Sequence, residues 1–167
     1  KADYICRGEG DEVIPELMDL ISDGKDGHHL PNIYPNEMRP ALDVNTLPPT
    51  DHEIFDKRSL YRPFQGKIIK VATVETQRGC PFRCKFCNSP SNAGLYKEET
   101  DSLFFRHRSV EHIEMEIQHL IKTIDVEFLW IVTDTLLTTS KKKFDDFCDM
   151  YSKYKIPFFA QTRPELL

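Results

Sequence analysis

The sequence lacks any long apolar run. No stretch approaches the roughly 18–20 apolar residues that a helix needs to span a membrane, so no membrane span is expected. It also lacks an excess of positive charge: 22 Lys and Arg stand against 27 Asp and Glu, for a net charge of -5. That leaves no overall pull toward nucleic acid or an anionic membrane surface. Lys1-Ala2-Asp3-Tyr4-Ile5 has no apolar leader core. The five cysteines are odd in number and three are clustered, which is no disulfide framework. A reducing cytoplasm is the expected setting. What remains is a soluble globular mix, 40% hydrophobic and 29% charged, in 167 residues, enough for one ordinary domain.

The cysteines that are present fall into Arg78-Gly79-Cys80-Pro81-Phe82-Arg83-Cys84-Lys85-Phe86-Cys87. Iron–sulfur clusters are held by cysteine thiolates, and a closed four-iron site takes four. A loop with three leaves one iron for another ligand, and an open metal position is where chemistry occurs. The rival is zinc, whose sites bring four ligands in paired knuckles, and no fourth Cys or His stands at such a spacing. A non-enzymatic iron–sulfur or zinc module is the reading outside catalysis.

Along the chain, residues 1–24 read as strand, tight loop and helix. Gly8 and Gly10 permit a turn with close backbone approach to a ligand. Val13, Ile14, Leu17, Met18, Leu20 and Ile21 then recur at helical spacing, and Gly24 is a stop. Cys6 reads as a buried strand residue. Residues 25–66 hold six of the eleven prolines among scattered Ile, Leu, Tyr and Phe, an extended segment strapped across a surface. His28 and His29 read as a solvated loop.

From residue 67 the pattern is βαβαβ. Strands are expected at Lys67–Glu75, Phe128–Val132 and Ile156–Ala160, with the second covered on both faces. Helices are expected after Ser109 and Ser140 as N-caps. The first carries Val110, Ile113, Ile117, Leu120, Ile121 and Ile124 on one face. In the second, Phe144, Phe147, Cys148 and Tyr151 are expected in the core. His107, His112 and His119 read as a solvated helix face, because HExxH spacing is absent. Lys141-Lys142-Lys143 reads as an exposed first turn. Parallel strands carry ligands at their C-terminal ends. Those ends run into Cys80, into Thr133-Asp134-Thr135 and into Gln161-Thr162-Arg163, which puts sulfur, carboxylate and guanidinium on one edge.

The CxxxCxxC spacing, with Phe86 before the last cysteine, resembles the signature of the radical S-adenosylmethionine superfamily. The order Arg7-Gly8-Glu9-Gly10-Asp11-Glu12, helix, Leu47-Pro48-Pro49-Thr50-Asp51, cysteine loop and Arg106-His107-Arg108-Ser109 is similar to its cobalamin-binding branch. The resemblance implies an α/β chain in three parts. These are the end of a Rossmann-like cobalamin domain (1–24), a linker (25–66), and the N-terminal half of a partial (β/α)6 TIM-like radical barrel (67–167). It implies an internal piece of a longer polypeptide. It implies a 4Fe-4S cluster on Cys80, Cys84 and Cys87, S-adenosylmethionine, and cobalamin. It implies cofactor contacts from Phe86 (adenine), Arg163 (carboxylate), Asp134 (amino group), and Gly8 with Gly10 in the turn. The family's Gly-Gly-Glu motif is absent at 133–135, where Thr-Asp-Thr stands. The implied activity is reductive cleavage of S-adenosylmethionine to a 5′-deoxyadenosyl radical, in a methyltransferase or else a radical oxidoreductase or cyclase. The implied partners are a small-molecule substrate and an electron donor such as flavodoxin or ferredoxin. No residue is assigned as catalytic.

Overall fold

The computed structural model describes residues 2–167. The chain is α/β and divides into two compact units. One comprises the residues up to Asp43 together with Phe82–Phe104; the other comprises Val44–Pro81 and Phe105–Leu167.

In the larger unit, β1 (Tyr61–Phe64), β2 (Lys67–Glu75), β5 (Phe128–Val132) and β6 (Phe158–Ala160) form a sheet in the order β1-β2-β5-β6. β2, β5 and β6 are parallel, joined through α3 (Val110–Ile124) and α4 (Lys141–Tyr151), as the βαβαβ pattern predicts. Ser109 Oγ accepts the His112 N–H at 3.1 Å, and Ser140 Oγ accepts the Lys143 N–H at 3.4 Å; both are the expected caps. Ala72, Val74, Leu129 and Ile131 turn one sheet face toward Ile113, Ile117, Leu120, Phe147 and Met150. The other face is open, with Trp130 and Val132 nearly half exposed, so β5 is covered on one side and not on both.

β1 was not expected. It pairs antiparallel with β2 through a two-residue turn, Gln65-Gly66, with φ of +49° and +75°. Two positive φ values match the strand twist. Pro63, which disguises the segment as linker, sits on an edge strand, where a missing N–H costs little. A second small sheet joins β3 (Gln77–Arg78) to β4 (Arg106–His107).

Two core expectations fail on α4 and α3. Cys148 is exposed: at 3.6 residues per turn it lies about 90° from the middle of the face that buries Phe147, Met150 and Tyr151. His112 is buried, because the polar contacts described below replace its water.

In the smaller unit, α1 (Val13–Ser22) buries Val13 and Leu17 against Leu30 and Ile33. A flanking stripe about 90° around the helix leaves Ile14, Met18 and Ile21 exposed, at i, i+4 and i+7. The chain turns at Gly24 (φ +69°), whose N–H bonds Ile21 O. Residues 25–43 then return along the first ones, with Tyr34 N–H on Ile5 O and Arg7 N–H on Asn32 O, both at 2.8 Å. Cys6 is half-buried in a single bridge to Ile33, a looser setting than a buried strand. The unit's second helix, α2 (Ser89–Thr100), buries only Ser89 and Tyr96. With so few apolar positions it carries no helical period to read.

Candidate metal centre

After Glu75 the chain forms β3, turns at Gly79 (φ +84°), where only glycine is at ease, and reaches Cys80. The Arg78 guanidinium grips the Glu75 carboxylate at 2.9 and 3.1 Å, which stiffens this passage. Cys80 is half-buried. The division between units falls after Pro81, inside the loop. Beyond it, Cys84 is half-buried and Cys87 exposed. The Cys87 N–H bonds Cys84 O at 3.1 Å, and the Ser89 N–H donates to Cys87 Sγ at 3.4 Å. Cys87 therefore sits at the N-terminus of α2, with a backbone N–H directed at its sulfur. Among the described residues none of the five cysteines forms a disulfide. No group of three His, Cys, Asp or Glu among them is gathered as a metal site. The fit to an iron–sulfur cluster rests on the donor set: three thiols in eight residues, one already at a helix N-terminus.

The parallel strands bring the other sequence-selected residues of the larger unit to one edge. Thr135, 1% exposed, is the hub. Its carbonyl accepts the Gln77 side-chain N–H at 2.9 Å, and its hydroxyl meets Thr162 Oγ1 and accepts the Arg163 N–H, both at 3.3 Å. Asp134 is exposed beside it. The Arg163 guanidinium pairs with the exposed Glu165 carboxylate at 2.8 Å. Thr76 and Thr133, each one residue past its strand, have buried hydroxyls with no hydrogen-bond partner among the described residues. Phe86 is 94% exposed.

The glycine turn of the smaller unit has a packing role. Gly8 has φ +73°, and a Cβ there would stand 2.5 Å from Tyr96 Oη and 2.8 Å from Met38 Cε. The close approach is to Tyr96, whose hydroxyl accepts the Glu9 N–H at 2.7 Å. Arg7 binds Glu99 of the same helix with two bonds, at 2.7 and 3.0 Å. At Gly10 a Cβ would meet Ile14 Cγ1 at 2.9 Å. Gly8→Ala is expected to cost about 2–4 kcal/mol, from left-handed backbone strain plus overpacking. Urea unfolding checks this, and Tyr96→Phe in the same chain should return the overpacking share.

Sequence reasoning missed a buried ionic network. Arg108 donates Nη1–H to Glu75 O at 2.8 Å and Nε–H to His112 Nδ1 at 3.0 Å, and pairs with the Glu116 carboxylate. His112 Nε2 then meets Leu47 O at 2.8 Å, and Thr50 Oγ1 donates to Glu116 Oε1 at 2.8 Å. Segment 45–50 is thus strapped onto α3, as the proline-rich composition suggested. The available signal was Glu116 lying on the apolar stripe of Ile113, Ile117 and Leu120. Of the other polar runs, Lys141 and Lys142 pair with Asp145 and Asp146 at 2.6 Å.

Two histidines have opposite settings. The Asp26 hydrogen bond pushes His28 above the ordinary histidine value. Burial, then the Lys143 charge, push His107 below it. A proton-NMR titration should show His28 with the higher midpoint, and Lys143→Ala should raise that of His107 while burial keeps it low.

No family model matches the chain. Over 162 residues it is 30% identical to an anaerobic magnesium-protoporphyrin IX monomethyl ester cyclase of Cereibacter sphaeroides, covering 88% of this chain and 24% of that protein. It is 27% identical over 157 residues to a bacteriochlorophyllide d C-8(2)-methyltransferase of Chlorobaculum tepidum, covering 94% and 33%. Both likenesses run through the cysteine loop. The relatives it resembles are radical S-adenosylmethionine enzymes. An uncharacterized methyltransferase of Pyrococcus horikoshii is 26% identical over 154 residues, 86% of this chain and 30% of that one. The solved radical S-adenosylmethionine methyltransferase TsrM of Kitasatospora setae aligns with a TM-score of 0.49 and 16% identity, over 90% of this chain and 29% of that one. The chain spans about a quarter to a third of the length of the curated relatives it matches.

Proposed function

We propose that the protein containing this chain is a cobalamin-dependent radical S-adenosylmethionine methyltransferase, with a four-iron cluster on Cys80, Cys84 and Cys87. The observation that carries this reading is the three-thiol loop itself, set between the end of β2 and the N-terminus of α2. Bound there, cluster and S-adenosylmethionine supply reductive cleavage to a 5′-deoxyadenosyl radical, and cobalamin supplies the methyl group.

The chain's own residues hold and orient. The three thiolates ligate and leave one iron position open. Arg163, exchanging Glu165 for the ligand carboxylate, fixes that group through a two-pronged guanidinium contact. Asp134 would be the partner of the amino group, and Phe86, an exposed ring, would be the partner of the adenine. Gly8 and Gly10 leave the backbone of the turn bare on the side away from Tyr96, for cobalamin.

The division into the end of a cobalamin domain (1–24), linker (25–66) and half of a (β/α)6 barrel (67–167) belongs to this reading. Two apolar surfaces support it: the Ile14, Met18 and Ile21 stripe of α1, and the Trp130 and Val132 face of the sheet. Further layers of a larger protein would cover both. A small-molecule substrate and a flavodoxin- or ferredoxin-type electron donor complete the scheme. Among the described residues no helix is long and apolar enough to cross a membrane, which agrees with a cytoplasmic setting. The cyclase likeness, the higher of the identities above at 30%, favours ring-forming oxidation as the second reading.

The test is electron paramagnetic resonance of the anaerobically loaded, dithionite-reduced polypeptide. A four-iron signal that changes when S-adenosylmethionine is added is expected. A colourless zinc protein, or a cluster signal indifferent to S-adenosylmethionine, overturns the proposal in favour of a non-enzymatic metal module. Methylated against ring-closed product then separates the two enzymatic readings.

A further inference from the structure

The Arg108, His112 and Glu116 network lies in the larger unit and includes no residue assigned to a cofactor. Its geometry is directed at one place. The Arg108 backbone N–H bonds Thr76 O at 3.0 Å, while its side chain bonds Glu75 O at 2.8 Å. One arginine therefore holds two successive carbonyls at the end of β2, four residues before Cys80. β4, which pairs with β3 ahead of the cysteine loop, ends directly before Arg108.

The other side of the network is the strap. Arg108 donates to His112 Nδ1, so His112 carries its proton on Nε2 and donates it to Leu47 O. Glu116, 2% exposed, accepts from both Arg108 and Thr50. Asn45 Oδ1 accepts the Ser109 N–H at 2.7 Å, next to the same arginine. A buried ion pair contributes little net stability compared with apolar residues of the same volume. What a planar guanidinium with several fixed donors provides is position.

We propose that Arg108, His112 and Glu116 are positioning residues that read the docked strap, through Leu47 and Thr50, and set the position at which Cys80 leaves the sheet. The strap thereby regulates the cluster site. This rests on the cluster reading of Cys80, Cys84 and Cys87.

Thr50→Val removes one hydroxyl with little change of shape, and Thr50→Ser restores it. The first arm uses the complete polypeptide before cluster loading and follows amide hydrogen exchange. Thr50→Val should speed exchange roughly tenfold at Gln77, Arg78, Arg106 and His107, leave Leu129 and Ile131 unchanged, and be rescued by Thr50→Ser. Uniform acceleration that tracks global stability, or none, overturns the proposal. The second arm uses the loaded protein. Thr50→Val should keep the full iron content but shift the cluster's midpoint potential and weaken its spectral response to S-adenosylmethionine, again with rescue by Thr50→Ser. A wild-type potential and response in Thr50→Val also overturn it. If the wild type itself binds no iron, the radical reading fails, and the exchange arm still decides whether the strap positions this loop.

Discussion

Cys84→Ala is expected to abolish cluster loading and reduce 5′-deoxyadenosine formation to background. Two thiolates cannot hold a cube that already relies on three, so iron after reconstitution should fall from about four per chain to below about one. The control variants sharpen the test. Cys6 is half-buried, and burial pushes its thiol up. Cys148 is exposed, and desolvation, then Asp145 and Asp149, push its thiol up as well. Both are poor thiolates at neutral pH, and neither lies in the cysteine loop. Cys6→Ala and Cys148→Ala should therefore retain full iron and activity. Cys84 belongs to neither buried core, so the metal-free Cys84→Ala chain should unfold at the urea concentration of the metal-free wild type. Iron content together with the urea midpoint checks the argument. A Cys84→Ala protein that still loads four irons and cleaves S-adenosylmethionine would remove the loop from the centre of the mechanism.

The residues differ in how far the sequence revealed them. β2 and β5 carry β-branched and apolar runs long enough to read, and α3 and α4 carry both period and serine caps. The cysteine spacing is local, so the candidate metal ligands were legible without a fold. α2 was not, because its only large buried side chain is Tyr96, and Tyr96 packs on Gly8, nearly ninety positions earlier. β1 was hidden by Pro63, harmless only because the strand is an edge. The role of Gly8 looked like ligand approach, since a bare backbone fits a cofactor or a tyrosine equally well. The Arg108 network joins positions 47, 50, 75, 108, 112 and 116, and no local spacing encodes it. Its trace was an acidic residue on an apolar stripe, a position that calls for a buried partner.

That partner makes Glu116 the most sensitive position outside the cysteine loop. In Glu116→Ala the Arg108 side chain, only 5% exposed in the native chain, loses its counter-charge. Removing one member of a buried pair typically costs about 3–5 kcal/mol, because the remaining charge is left uncompensated. Against a typical total stability of about 5–15 kcal/mol, that brings the chain near unfolding. Glu116→Gln keeps the shape and one of the two acceptor oxygens that Arg108 and Thr50 use, and should cost less, about 1–3 kcal/mol. Arg108→Met with Glu116→Leu removes both charges at similar volume and should restore most of the stability lost in Glu116→Ala. Urea unfolding with an unchanged slope measures all three. The loss should persist in high salt, since a pair this buried is little screened. The double variant would still lack the groups that join Thr50 and Leu47 to the end of β2. Restored stability with a disturbed cluster potential would separate what the ion pair does for folding from what it does for position. A Glu116→Ala cost below about 1 kcal/mol would instead mean that water reaches Arg108 and that the pair is a surface contact.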